Sequence, residues 1–242
     1  MAIEPPGKRE IEARPMHFIW IVDCSGSMQA DGKMASLNNA IKEAIPEMCK
    51  VADDNPFAKM LVRVICFSDG ATWKVSTPTH VKEFHWTDLE AGGITDMGAA
   101  FTKVAEELAV DRMPERGYPP VLVLISDGQP NDDWKKGLKR LTEQPWGKKA
   151  SRIAIAIGRD ADHEPLKAFV GNVEIPVLQA NNPQDLVKYI KWASTVLSKS
   201  VIAPPTPDIK TGDEPGAAEP EMPPPPPPPP PKDDSEVWPD VW

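Results

Sequence analysis

The sequence predicts an α/β domain built on a mostly parallel sheet with helices on both faces. Three observations carry that expectation. Apolar runs of strand length recur at residues 17–22, 61–67, 121–125, 153–157 and 175–178. Most are continuous rather than alternating, the pattern of strands buried on both faces. Segments with helical spacing fill the gaps, and alternation of strand and helix favours parallel pairing through right-handed crossovers. Two shorter pieces, 71–76 and 81–84, alternate polar and apolar residues, as an edge strand or hairpin does.

The first run, 17–22, ends in Asp23 and leads into a helix over 34–51, where Leu37, Ile41, Ile45 and Met48 repeat on one face. The run 61–67 follows, then the alternating pieces. A helix over 97–110 places Ala100, Phe101, Val104 and Leu108 together. The runs 121–125 and 153–157 bracket a helix over 134–141. Helices over 164–170 and 183–197 bracket the last run.

Composition bounds the rest. The chain has 242 residues, enough for one domain and an appendage. Acidic residues outnumber Lys and Arg by 36 to 27, and no basic stripe exists, which argues against nucleic acid as a partner. The three cysteines, Cys24, Cys49 and Cys66, form no CxxC pair and sit in or beside apolar segments. They suit buried free thiols in a reducing compartment. The opening MAIEPPGKREIEARP has no signal-like apolar stretch, and nowhere do 18 apolar residues run together, so neither export nor a membrane span is expected. The expected location is the cytoplasm.

Residues 203–231 hold fourteen prolines and almost no large apolar side chain, too little to offset their ordering entropy. Pro223–Pro231 is a run of nine prolines, a polyproline rod of about 28 Å at ~3.1 Å per residue. The expected organisation is an extension over 1–14, a domain over 15–202, a disordered linker over 203–231 and a docking peptide over 232–242. In that peptide Val237, Trp238, Val241 and Trp242 offer apolar area beside Asp240 and other acids. Trp is favoured in interface hot spots, so a second partner groove with a basic rim is expected.

The chemistry lies at strand ends. In IVDCSGSM, Asp23, Ser25 and Ser27 alternate, so an extended chain aims all three the same way. AGGITDM sets Thr95 and Asp96 at a helix start, and LISDG ends a buried strand in Asp127. Taken singly, these are ordinary helix caps and a turn. Taken together, Asp23, Ser25, Ser27, Thr95 and Asp127 supply oxygen and neither nitrogen nor sulfur. That set selects a hard cation, with Mg²⁺ favoured and Mn²⁺ or Ca²⁺ as alternatives. Only two of the groups carry charge, so the ion stays poorly neutralised and open to a carboxylate from elsewhere.

These stretches resemble the metal-ion-dependent adhesion site of the von Willebrand factor type A domain, over roughly residues 15–200. The resemblance implies a doubly wound sheet with one antiparallel edge strand, and a metal that contacts an acidic residue of a partner protein. It also implies Ser25, Ser27 and Thr95 as direct ligands, with Asp23 and Asp127 direct or through water. The stretches RPMHFIWIVDCSGSM and ISDGQPND are further similar to the bacterial TerY-like group linked with tellurite resistance. That likeness implies a PP2C-type phosphatase or Ser/Thr kinase as partner in a stress or defence system. The zinc-binding extension of some relatives has no counterpart here.

Catalysis is the weaker expectation. Gly26 to Gly32-Lys33 is one residue too long for a phosphate loop, and Met34 stands where Ser or Thr belongs. His17, His80, His85 and His163 are scattered, and Cys24 should turn into the core. The alternative to a non-enzymatic binding module is a metal-dependent phosphoester hydrolase using Asp23 or Asp127.

Overall fold

The computed structural model describes residues 13–114, 116–127, 129–202, 224, 226 and 227. Six strands form one sheet in the order β3-β2-β1-β4-β5-β6. They are β1 (Arg14–Asp23), β2 (Ala58–Ser68), β3 (Gly70–His80), β4 (Val121–Ser126), β5 (Ser151–Ile157) and β6 (Leu178–Ala180). All neighbours pair in parallel except β2 with β3, so the antiparallel strand lies at an edge. The helices are α1 (Lys33–Asp54), α2 (Met97–Glu107), α3 (Trp134–Glu143), α4 (Pro145–Lys149), α5 (His163–Val170) and α6 (Pro183–Ile202).

The parity of each strand decides which layer it feeds. Phe18, Trp20 and Val22 of β1 join Val62 and Val64 of β2 and Val123 and Ile125 of β4 against α1 and α6. Ile19 and Ile21 join Ile65, Phe67, Leu122 and Leu124 against α2, α3 and α5. Both faces of β1 and β4 are therefore buried, which is why their sequences read as unbroken apolar runs. Aromatic contacts add to the packing within each layer. Trp20 meets Phe18 edge-on with ring centroids 5.1 Å apart, and Phe101 of α2 stacks on Phe169 of α5 at 5.3 Å.

The chain leaves β1 through α1 on one face and β4 through α3 on the other. The winding reverses between β1 and β4, and ligands of open α/β sheets bind beyond the strand ends at such a switch point. Asp23 closes β1 and Asp127 follows β4 directly.

Local details differ from the sequence expectation in four places. Residues 81–84 are not a strand: β3 runs through to His80, and Val81–Glu83 form a short 3-10 turn, with His80 Nδ1 accepting from Lys82 N at 3.3 Å. The last strand is Leu178–Ala180 rather than 175–178, because Ile175 N is used in a turn to Asn172 O and Pro176 has no N–H to give a ladder. Helix α2 stops at Glu107 rather than at residue 110, where Leu108 caps it and Arg112 N folds back to Ala109 O. Helix α4, opened by Pro145 at its first position, has too few residues to show a periodic apolar pattern. Among the described residues, no helix is long and apolar enough to cross a membrane.

Candidate metal centre

Backbone bonds stitch four loops together at the switch point. Gly26 N donates to Gly93 O at 3.0 Å, and Gly92 N to Cys24 O at 2.8 Å. Asn131 N donates to Thr95 O at 2.8 Å, and Asn131 Oδ1 accepts from Thr95 N at 2.8 Å. Asp162 N donates to Asp127 O at 2.8 Å. A side chain at position 26 would put its Cβ 3.3 Å from Gly93 O, so the close approach of the first two loops favours glycine there.

Helix packing sets the same geometry from below. Gly98 of α2 faces Gly137 of α3, and a Cβ on Gly137 would fall 2.3 Å from Gly98 O. The starts of α2 and α3 therefore lie side by side, and with them Thr95 and Asp127. The Asp132 carboxylate accepts from Gly98 N and Ala99 N, each at 2.9 Å, so one loop caps the helix of the other.

Ser25, Ser27 and Thr95 line one crevice of about 510 Å³ at this edge. Asp23 and Asp127 adjoin it, and both are fully buried. Ser25 and Ser27 do not cap the turn that follows; Ser25 makes no side-chain cap bond, and its Oγ lies 2.9 Å from Ser27 Oγ. Asp96, at the start of α2, makes no cap bond either, and Asp132 takes that role.

The two carboxylates differ. Asp23 Oδ1 accepts from Ser25 N at 2.9 Å and Oδ2 from Ser126 Oγ at 2.5 Å. Neither oxygen of Asp127 has a hydrogen-bond partner among the described residues. Burial pushes the Asp23 carboxyl up to about 6, against the hydrogen bonds from Ser126 and Ser25, and the negative charge of Asp127 raises it further. A buried carboxylate with no partner is costly unless a cation meets it. Nearby Lys33 is directed instead at Asp160, 3.6 Å away.

The donor chemistry fits a hard divalent ion: carboxylate and hydroxyl oxygens, without imidazole or thiolate. Among the described residues, no group of three or more His, Cys, Asp or Glu side chains could hold a metal, so an ion bound here would depend on the hydroxyls. The Cys24 thiol is buried in the core, and a hydrogen bond with Cys66, then burial, push its pKa well above the usual range. Cys24, Cys49 and Cys66 are all free. His85 lines a different crevice with Lys74 and Trp86, His17 is buried, and His163 bonds Gln179 Oε1 at 2.6 Å.

Sequence reasoning missed Ser126, Asn131, Asp132 and Asp162. Ser126 reads as the last residue of a strand. The Asn-Asp-Asp of residues 131–133 carries a helix-start signal but not its long-range target. The predicted docking residues Val237, Trp238, Asp240, Val241 and Trp242 lie outside the described residues. One contact from the proline run is described: Lys188 Nζ of α6 donates to Pro227 O at 3.1 Å.

A family model for the von Willebrand factor type A domain matches residues 19–191, most of the chain and every loop of this site. The chain belongs to that family. Domains of the von Willebrand factor type A family are known for metal-dependent adhesion and protein interaction. Solved structures share the fold at low identity. A von Willebrand factor type A protein from Catenulispora acidiphila is 18% identical, with TM-score 0.59, over 76% of this chain and 43% of that one. Proximal thread matrix protein 1 of the mussel byssus, with a zinc-occupied adhesion-site motif, is 18% identical with TM-score 0.57, over 76% and 48%. Manganese-loaded TRAP protein of Plasmodium vivax is 17% identical with TM-score 0.50, over 74% of each chain. This chain thus spans less than half the length of the first two. No curated protein matches it.

Proposed function

We propose that this chain is a non-enzymatic, metal-dependent protein-binding module. Ser25, Ser27 and Thr95 hold a divalent ion directly, and Asp23 and Asp127 hold it directly or through water. Mg²⁺ is the favoured ion, with Mn²⁺ and Ca²⁺ as alternatives. When bound, the ion supplies an open coordination position that takes an acidic side chain of a partner protein. The observation that carries this reading is Asp127, a fully buried carboxylate whose two oxygens lack a hydrogen-bond partner among the described residues. The chain's own groups do the positioning: Ser126 and Ser25 fix Asp23, and Asn131 fixes the backbone of Thr95.

The narrower reading places the chain with the TerY-like proteins, in the cytoplasm of a bacterial cell, recruiting or regulating a PP2C-type phosphatase or a Ser/Thr kinase under stress. Its support is the likeness of RPMHFIWIVDCSGSM and ISDGQPND to that group. The terminal residues Val237, Trp238, Asp240, Val241 and Trp242 provide a second contact, tethered by the proline run, which raises their effective concentration at a partner already held.

Affinity capture from the native cell tests both levels. Intact protein in Mg²⁺ should retain a partner that a chelator releases and that Ser25→Ala fails to hold, and a chain lacking residues 232–242 should hold it more weakly. Capture indifferent to chelator and to Ser25→Ala contradicts the module. Metal-dependent turnover of a generic phosphoester, lost in Asp23→Ala, favours the hydrolase.

A further inference from the structure

The crevice over the proposed metal site carries one charge that no ion pair neutralises among the described residues. Its walls are Ser25, Gly26, Ser27, Gly93, Ile94 and Thr95 on one side and Gln129, Pro130, Asn131, Trp134 and Asp162 on the other. Asp162 is the one ionisable side chain in that lining. It is exposed, and Oδ1 accepts from Glu164 N at 2.9 Å, capping α5. Among the described residues no ion pair uses it.

Two cations on neighbouring elements are already engaged, and Arg159, three residues before Asp162, makes no ion pair with it. Lys33 is buried and lies 3.6 Å from Asp160. Lys135 pairs with Glu164 at 2.8 Å and sits over the Trp134 ring at 5.2 Å. A ligand entering the crevice thus meets the proposed metal position and, on the wall, a carboxylate that caps a helix but has no ion pair among the described residues. A segment offering only acids gains at the first and is repelled at the second. A segment offering an acid beside a base is matched at both.

We propose that the partner's metal-seeking acidic residue is accompanied by a Lys or Arg, and that Asp162 receives this basic side chain. The partner is then a zwitterionic peptide segment rather than an acidic one. The role of Asp162 is selection among acidic ligands: a solvent-facing pair is worth little in total affinity, and its effect lies in which partner is preferred. This inference rests on the metal-dependent reading above.

The test is a peptide array probed with the full chain. Each peptide carries one Asp or Glu in a neutral background, with Lys, Glu or Gln at every neighbouring position in turn. Binding is read in Mg²⁺ and in chelator, for wild type and Asp162→Asn. Asn still offers a cap oxygen to Glu164 N and removes only the charge, and equal melting temperatures verify that the fold is kept. The expected result is chelator-sensitive binding that favours Lys-containing peptides about threefold in wild type, a margin typical of one exposed pair, and does not favour them in Asp162→Asn. Chelator-sensitive binding without that preference, or with the preference intact in Asp162→Asn, overturns the role of Asp162 and leaves the metal reading standing. Absence of chelator-sensitive binding to any peptide, together with absence of ion uptake by the protein, overturns both.

Discussion

Ser126 Oγ donates to Asp23 Oδ2 at 2.5 Å, joining the ends of the two strands that flank the switch point. With Ser25 N on Oδ1, both Asp23 oxygens carry a bond, while those of Asp127 have no hydrogen-bond partner among the described residues. The pair is asymmetric: one carboxylate is held by hydrogen bonds and the other is left without them.

Asp127 should accordingly cost stability in the metal-free protein. Asp127→Ala removes a buried charge with no hydrogen-bond partner, so in chelator the variant should be more stable than wild type by about 1–2 kcal/mol. The same change should abolish the rise in melting temperature that Mg²⁺ or Mn²⁺ gives wild type. Melting curves with and without ion check both halves.

Opposing pH trends are expected from Asp23 and His17. Asp23 is raised from 3.8 to about 6, so the folded chain holds that proton more tightly, and its share of stability declines as pH climbs through this window. His17 is lowered from 6.5 to about 4 by burial and then by the Arg63 guanidinium. Its share is complete above 6.5 and is lost as pH falls toward 4. The two nearly cancel in metal-free wild type. In Asp23→Asn the His17 trend is left unopposed by Asp23, and acidification across that span should cost on the order of 3 kcal/mol. Denaturant titrations in chelator measure it.

Gly137→Ala drives a methyl group toward Gly98 O and separates α3 from α2. A loss of about 2 kcal/mol is expected. Because Thr95 and Asp127 precede these helices, ion affinity should fall as well. Calorimetric titration of the folded variant separates the two effects.

Asp132→Ala removes the acceptor of Gly98 N and Ala99 N at the start of α2. The expected loss is about 1 kcal/mol, the usual size of a cap, with weaker ion uptake through a looser Thr95. Hydrogen exchange at Gly98 and Ala99 should accelerate.

The layers were legible in the sequence because β1 and β4 are buried on both faces and advertise it with unbroken apolar runs. The candidate metal residues stood out because Asp23, Ser25 and Ser27 alternate in an extended stretch. Asp132 did not, since its partners lie 34 and 33 residues away and local spacing carries no trace of them. Ser126 was hidden for a similar reason: it bonds Asp23 across 103 residues. Strand β6 was displaced in the reading because Ile175 and Val177 look like strand residues, while Pro176 between them cannot join a ladder. Asp162 joins the site only once the loop after β5 is folded against Asp127.

The most direct measurement is isothermal titration of Mg²⁺ and Mn²⁺ into the metal-free chain, beside Asp127→Ala and Thr95→Ala, each with and without a captured partner. The account predicts uptake of one ion per chain by wild type, tightened by the partner and absent from Asp127→Ala. Failure of wild type to take up either ion under both conditions, or undiminished uptake by Asp127→Ala, would contradict it.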